Sequence, residues 1–143
     1  MRSRVLNESP ERTVAAILDR GDEVMAALHR LAAEHDLVAS RLTAIGAFES
    51  ATLGYFDWES KVYERIPVDE QVEVLSLIGD IALDGDEPKV HVHAVLGRRD
   101  GSTLGGHLLD AIVRPTLEVL VTDSPSYLRR ECDPVSGIAL IRL

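Results

Sequence analysis

The sequence predicts an α+β fold, in which one main helix packs on a curved, mostly antiparallel sheet. Only residues 22–35 carry apolar side chains at a clear helical spacing, whereas the other apolar segments are short and separated by turn-forming residues. Hydrophobic residues make up 45% of the 143-residue chain and aromatic residues only 4%. We therefore expect one domain over residues 1–143, with a core built mainly of Val, Leu, Ile and Ala.

The helix is expected to follow a first strand over residues 13–18 and a turn that ends at Gly21. Asp22 and Glu23 would then lie at the positive end of the helix dipole, where carboxylates are stabilising. Apolar residues recur at helical spacing after them and define one face for burial. That face comprises Val24, Met25, Leu28, Leu31, Ala32 and His35.

The remainder of the chain is predicted to be rich in β-strands. Residues 38–48 are expected to form a strand that approaches a turn. Residues 51–58 and 61–68 flank Glu59-Ser60 and suggest a hairpin, and residues 138–141 suggest a closing strand.

Two further strands carry more specific expectations. The strand over residues 72–78 would be buried on both sides in part of its length. Residues 111–122 are apolar, but Pro115 has no backbone N–H, which favours a sheet edge or the beginning of a strand. In the first of these strands one face would carry Val72, Val74, Ser76 and Ile78, and the other Glu73, Leu75 and Leu77.

The most informative motif is His91-Val92-His93, followed by Gly105-Gly106-His107. On a strand, His91 and His93 point to the same face, about 6.5–7 Å apart. Arg99-Asp100-Gly101 predicts a three-residue hairpin loop with Gly101 in the left-handed conformation, which places His107 across from His93. The pattern therefore predicts a three-histidine site for a divalent metal, with zinc as the expected ion. Imidazole ligands alone do not choose between zinc and other divalent ions such as iron or manganese.

Structural alternatives stay open for this motif. A half-buried strand can use histidine simply as a small amphipathic residue. Gly105-Gly106 can equally mark a bulge or a tight bend. A loop one residue longer or shorter would turn His107 to the opposite face.

Composition argues against several classes of protein. With 15 basic and 24 acidic residues, the formal net charge is −9, which disfavours direct binding to nucleic acid. Cys132 is the only cysteine, so neither an internal disulfide nor a cysteine-based zinc site can form. The sequence has no signal-peptide pattern and no apolar run long enough for a membrane span, so we expect a cytoplasmic protein without a membrane partner.

Several blocks carry a resemblance that covers nearly the whole chain. They are residues 18–23 (LDRGDE), 44–47 (AIGA), 73–79 (EVLSLIG), 91–97 (HVHAVLG), 105–108 (GGHL) and 115–119 (PTLEV). In this order and spacing, they resemble the plant and prokaryote conserved (PPC) domain family, in its single-domain prokaryotic form.

The resemblance implies one helix against an antiparallel sheet of about seven strands, assembled as a homotrimer. It also implies that His91, His93 and His107 can hold a metal, as in prokaryotic members. Plant members bind A/T-rich DNA through an AT-hook of the Arg-Gly-Arg-Pro type, and this sequence contains no such motif.

Two functions follow as hypotheses. The first is a trimeric metal-binding module with a role in assembly, sensing or regulation. The second is a metalloenzyme acting on a small-molecule ligand, because three imidazoles leave a coordination position open for water. Candidate general bases are Glu73, Asp80, Asp110 and Glu118, of which Asp110 and Glu118 can also orient a ligand histidine or simply face solvent.

Overall fold

The computed structural model describes residues 1–8, 11–124 and 128–142, with the side chains of residues 3–8 left aside. Strands account for 68% of the structure and helix for 8%, so the fold is mainly β and the α+β prediction is wrong. The described residues form one 11-residue helix and nine strands rather than about seven. The elements are β1 (Arg2–Glu8), β2 (Arg12–Asp19), α1 (Val24–Glu34), β3 (Ala39–Asp57), β4 (Val62–Val68), β5 (Val72–Asp84), β6 (Glu87–Gly97), β7 (Thr103–Asp123), β8 (Arg129–Cys132) and β9 (Ala139–Arg142).

The strand pairings close a ring. β3 pairs with β7 and β5, β5 pairs with β6, and β6 pairs with the first part of β7. β1 and β2 extend the sheet from β7, whereas β4 forms a hairpin with β3, as predicted. All of these pairs are antiparallel. β8 instead pairs with β5 in the parallel direction, at Leu83 and Asp84.

Helix α1 begins where the sequence predicts. The Glu23 carboxylate accepts hydrogen bonds from the backbone N–H groups of Met25 and Ala26, at 3.1 and 2.6 Å. The buried face of α1 consists of Val24, Ala27, Leu28, Leu31 and Ala32, whereas His35 is the C-cap and is only partly buried. This face completes the core on the inner side of the ring, so the opposite side of β5, β6 and β7 is left without a helix.

The sequence predicts a turn near residue 48, and this prediction is wrong, because β3 runs without interruption from Ala39 to Asp57. A bulge at Gly46 re-aims the strand without ending it. A Cβ on Gly46 would lie 2.2 Å from the carbonyl oxygen of Thr116, so only glycine permits this approach of β3 to β7. The glycine therefore marks a close backbone contact.

Pro115 lies inside β7, away from the edge or strand start that the sequence favoured. The pairing jumps from Gly46–Leu117 to Phe48–Val113, and Pro115 falls in the bulge between these two pairs. A proline costs no ladder hydrogen bond at a bulge, because the N–H that it lacks has no partner there.

The two faces of β5 also exchange partway along the strand. Val72 and Val74 are buried as expected, but the register shifts between Val74 and Ser76. Beyond the shift Leu77 is buried and Ile78 is 56% exposed. The outer face of this strand thereby acquires an apolar residue directly opposite His93 of β6.

Candidate metal centre

The β6–β7 hairpin has the predicted loop. The N–H of Gly101 donates to the carbonyl of Arg98 at 3.0 Å, and the N–H of Arg98 donates to the carbonyl of Ser102 at 2.9 Å. Gly101 has φ +84°, the left-handed conformation that such a loop requires. His93 is consequently paired with His107 across the two strands, as the sequence argument expected.

The three histidines converge on the outer face of the ring. Their ring centroids lie 5.0–5.4 Å apart, and one nitrogen from each ring falls within 4.8 Å of the others. The Nε2 atoms of His91 and His93 are separated by 3.2 Å. His93 is exposed, whereas His91 and His107 are half-buried.

Gly79 of β5 lies beside the histidine strand and lets its backbone come close. It pairs with Val92, between the two histidines of β6. A Cβ at this position would lie 2.1 Å from the carbonyl oxygen of His91 and 2.6 Å from a methyl carbon of Val92. The backbone of β6 can therefore approach β5 closely only because residue 79 has no side chain.

Burial keeps two of the imidazoles neutral. Desolvation, followed by the neighbouring His91 and His93, lowers the pKa of His107 to about 4. The pKa of His91 is also lowered, first by burial and then by the positive charge of Arg130. Neutral imidazole is the form that binds a metal ion.

Asp80 and Arg130 form an ion pair behind His91. Asp80 lies opposite His91 on β5, with its Oδ2 atom 3.9 Å from the His91 Nδ1 atom. The Arg130 Nη2 group makes a short contact with the Asp80 carboxylate and lies 3.5 Å from the same His91 nitrogen. The Arg130 side chain is only 5% exposed, whereas the Asp80 side chain is 29% exposed, so the guanidinium is the buried member of this pair.

A cavity of about 330 Å³ opens beside His91 and His107. Tyr63 of β4 forms one wall and packs against the His107 ring, with centroids 4.8 Å apart and the planes tilted by 32°. The lining residues are Tyr63, Lys89, Val90, His91, His107, Arg130, Gly137, Ile138, Ala139 and Leu140. The β8–β9 segment thus supplies the wall opposite the histidines.

Of the four candidate bases, Asp80 lies beside the cluster, with its Oδ2 atom 3.9 Å from the His91 Nδ1 atom. Asp110 makes an ion pair with Arg65 at 2.8 Å instead. Glu73 is exposed near the far end of β5, opposite Gly97, and Glu118 lines an apolar groove on β7. No sequence pattern pointed to Tyr63 or Arg130, because both reach the site through pairings of β4 with β3 and of β8 with β5.

The donor set fits a divalent metal ion. Two nitrogens bound to one zinc ion in tetrahedral geometry, at about 2.0–2.1 Å from it, lie about 3.3 Å apart. The 3.2 Å between His91 and His93 matches this value. The buried Nδ1 of His107 has no hydrogen-bond partner among the described residues, an arrangement that costs free energy in the absence of a ligand.

A family model described as the Plants and Prokaryotes Conserved domain matches residues 6–125. The chain belongs to this family. A solved PPC protein from Pyrococcus horikoshii is 26% identical, covers 99% of this chain and 95% of its own, and superposes with a TM-score of 0.86.

Other solved structures share the PPC fold. A metal-containing protein from Archaeoglobus fulgidus is 33% identical, with 92% of this chain and 93% of that chain covered and a TM-score of 0.84. A putative DNA binding protein from Bacteroides thetaiotaomicron is 27% identical, with 98% and 96% covered and a TM-score of 0.88.

One curated relative is much longer than this chain. The bifunctional protein GlmU of a Synechococcus strain is 32% identical over 120 residues, which cover 82% of this chain and 18% of that protein. The PPC chain thus spans less than a fifth of the length of this relative, and the likeness concerns one segment of it.

Proposed function

We propose that this PPC protein binds one divalent metal ion per chain through His91, His93 and His107. The convergence of the three imidazoles on one face carries the proposal. The metal-containing relative from Archaeoglobus fulgidus supports it, since its fold is the same and its sequence is 33% identical. Zinc is the ion that we expect, because three histidine ligands with one open position are a common zinc site.

The residues behind the cluster would hold the ligands in position. The Asp80 carboxylate lies 3.9 Å from the His91 Nδ1 atom and is itself held by Arg130, so this ion pair would limit the movement of the His91 ring. Tyr63 limits the rotation of the His107 ring by packing against it. A site supported in this way is partly organised before any ion arrives.

The metal content of tag-free protein tests the proposal. We expect about one zinc ion per chain by mass spectrometry of the dialysed protein, and near-complete loss in His93→Ala. His29→Ala is the matched control, because His29 lies on the exposed side of α1. Full occupancy in His93→Ala, or equal loss in both variants, would contradict the ligand set.

We also propose that the protein assembles as a homotrimer, with a role in assembly, sensing or regulation. A groove of about 400 Å³ on the outer face is lined by four exposed apolar side chains. Exposed apolar patches of this kind mark interaction surfaces. The four are Ile45, Leu75, Ile78 and Leu120, and Ile78 lies next to the histidine cluster.

A metalloenzyme is the second candidate function. The cavity beside His91 and His107 favours it, since a small molecule would have room near the cluster. When bound, a divalent ion would supply Lewis acidity and a water molecule of lowered pKa. Asp80, whose carboxylate lies 3.9 Å from the His91 Nδ1 atom, is held by Arg130, which suits a positioning role better than that of a general base. Metal-dependent hydrolysis of small esters that disappears in His93→Ala would favour the enzyme.

A further inference from the structure

The geometry points to a binding site for a small carboxylate, in the cavity between the histidine cluster and the β8–β9 segment. The carboxylate group would contact Arg130 and Lys89, and the hydrocarbon part would pack on Val90, Ile138 and Leu140. This inference rests on the proposed function, because the ligand would lie beside the proposed metal ion. Arg130 and Lys89 line the cavity whether or not the metal is bound, so the carboxylate site can be tested separately.

An unsatisfied buried donor is the first observation. The Arg130 side chain is 5% exposed, and its Nε–H group is buried without a hydrogen-bond partner among the described residues. The other groups of the guanidinium are engaged: Nη1 donates to the carbonyl of Ala139 at 3.0 Å, and Nη2 contacts Asp80. A buried charged donor of this kind is expensive to leave unpaired, so an acceptor from a ligand would stabilise it.

The charge of the cavity wall is the second observation. The described lining contains two cations, Lys89 and Arg130, and no carboxylate, in a chain whose formal net charge is −9. Asp84 and Asp80, which pair with these cations, lie outside the lining. The wall therefore presents hydrogen-bond donors to an anion, and no carboxylate in the described lining would repel it.

The apolar part of the cavity wall favours an anion that carries a hydrocarbon chain over inorganic phosphate. Val90, Ile138, Ala139 and Leu140 line the cavity together with the Tyr63 ring. These residues would pack on a short hydrocarbon chain, whereas they would strip water from a phosphate without replacing its hydrogen bonds. A volume of about 330 Å³ suits a molecule of small size.

Butyrate is the probe that tests this site, with butyramide as a neutral molecule of the same shape and inorganic phosphate as a second anion. Each is titrated by calorimetry into metal-free protein, and butyrate also into zinc-loaded protein. We expect butyrate to bind about tenfold or more tightly than butyramide, because the charged donors distinguish the two. The ¹⁵N–¹H signal of the Arg130 Nε–H group, assigned by its absence in Arg130→Lys, should shift on addition of butyrate.

Two neighbouring residues of β9 supply matched variants. Leu140 lines the cavity and is 39% exposed, whereas Ile141 is 37% exposed and lies outside the lining. Leu140→Glu places a negative charge in the wall, so we expect it to weaken butyrate binding about tenfold or more. Ile141→Glu should leave the affinity within about twofold, and both variants should keep the zinc content of the wild type.

Three outcomes would overturn the inference: equal affinity for butyrate and butyramide, tighter binding of phosphate than of butyrate, or equal affinities of Leu140→Glu and Ile141→Glu for butyrate. The zinc measurement separates this result from the proposed function. Butyrate binding to a protein that takes up no zinc would remove the metal centre and keep the carboxylate site. Zinc uptake without butyrate binding would remove the carboxylate site and keep the metal centre.

Discussion

At the scale of single residues, the three histidines of the cluster share one face of the sheet but differ in burial. His93 is exposed, whereas His107 is enclosed by Tyr63 and the other two imidazoles. The sequence placed all three on one face by alternation and by the length of a turn. It could not predict their burial, because Tyr63 comes from another hairpin and Arg130 from the segment after β7.

The stability of the metal-free protein should depend on pH through His107. Its pKa is about 4 in the folded protein and near 6.5 when unfolded, so between these values the unfolded state binds more protons. The free energy of unfolding should therefore fall as the pH drops from about 6.5 to about 4. His91, whose pKa is also lowered, adds to the same trend.

Urea unfolding at several pH values measures this dependence. His107→Gln removes the titrating group, so its unfolding free energy should change less over that window. His29→Gln, on the exposed side of α1, serves as the control and should keep the wild-type slope. An identical slope in His107→Gln would show that this imidazole is not responsible.

At the scale of elements, bulges and glycines decide which strand faces meet. The register shift in β5 brings Ile78 to the outer face, and Gly79 then lets β6 approach closely enough for its histidines to share that face with Asp80. Alternation along an unbroken strand predicts the opposite burial for Leu77 and Ile78. One inserted residue exchanges the two faces, which is why the prediction for this strand is correct only before Ser76.

Gly79→Ala should therefore damage both fold and site. The added Cβ meets the backbone oxygen of His91 at 2.1 Å, and a backbone atom cannot move aside as a flexible side chain can. We expect a loss of about 1–3 kcal/mol in the free energy of unfolding, with weaker zinc binding. Gly101→Asn is the control: asparagine tolerates positive φ, and nothing lies within 4 Å of an added Cβ there. If Gly79→Ala had the same free energy of unfolding as the wild type, β5 and β6 could move apart at this position without a loss of stability, and the prediction would be wrong.

At the scale of the whole molecule, the outer face combines the histidine cluster with exposed apolar side chains. Ile78 adjoins His93, and Leu120 lies in the same groove. Among the described residues, no helix is long and apolar enough to cross a membrane. A second and third copy of the chain are the partners that we propose for this face.

Light scattering tests the proposed assembly. The wild type should have about three times the 15.7 kDa mass of the chain. Leu120→Glu should lower this mass, because a carboxylate in the groove would be buried without a partner. Val135→Glu changes an exposed apolar residue outside the groove, 66% accessible against 51% for Leu120, and this variant should remain trimeric. A wild-type monomer at every concentration would contradict the proposal.

Binding to DNA is expected to be absent despite the names of some relatives. The formal net charge of −9 repels phosphates, and the sequence contains no AT-hook. Mobility-shift experiments on A/T-rich and mixed duplexes should show no specific complex at physiological salt. A submicromolar complex that weakens steeply with added salt would reveal a basic surface and reverse this expectation.

The sequence by itself determined the local features of this protein. The start of α1, the β3–β4 hairpin and the β6–β7 loop follow from residues close together in the chain, and the loop length alone paired His93 with His107. Only the tertiary structure decided the mainly β architecture, the interior place of Pro115 and the Asp80–Arg130 pair. These depend on bulges and on pairings between distant strands, whose register is set by packing across the whole sheet.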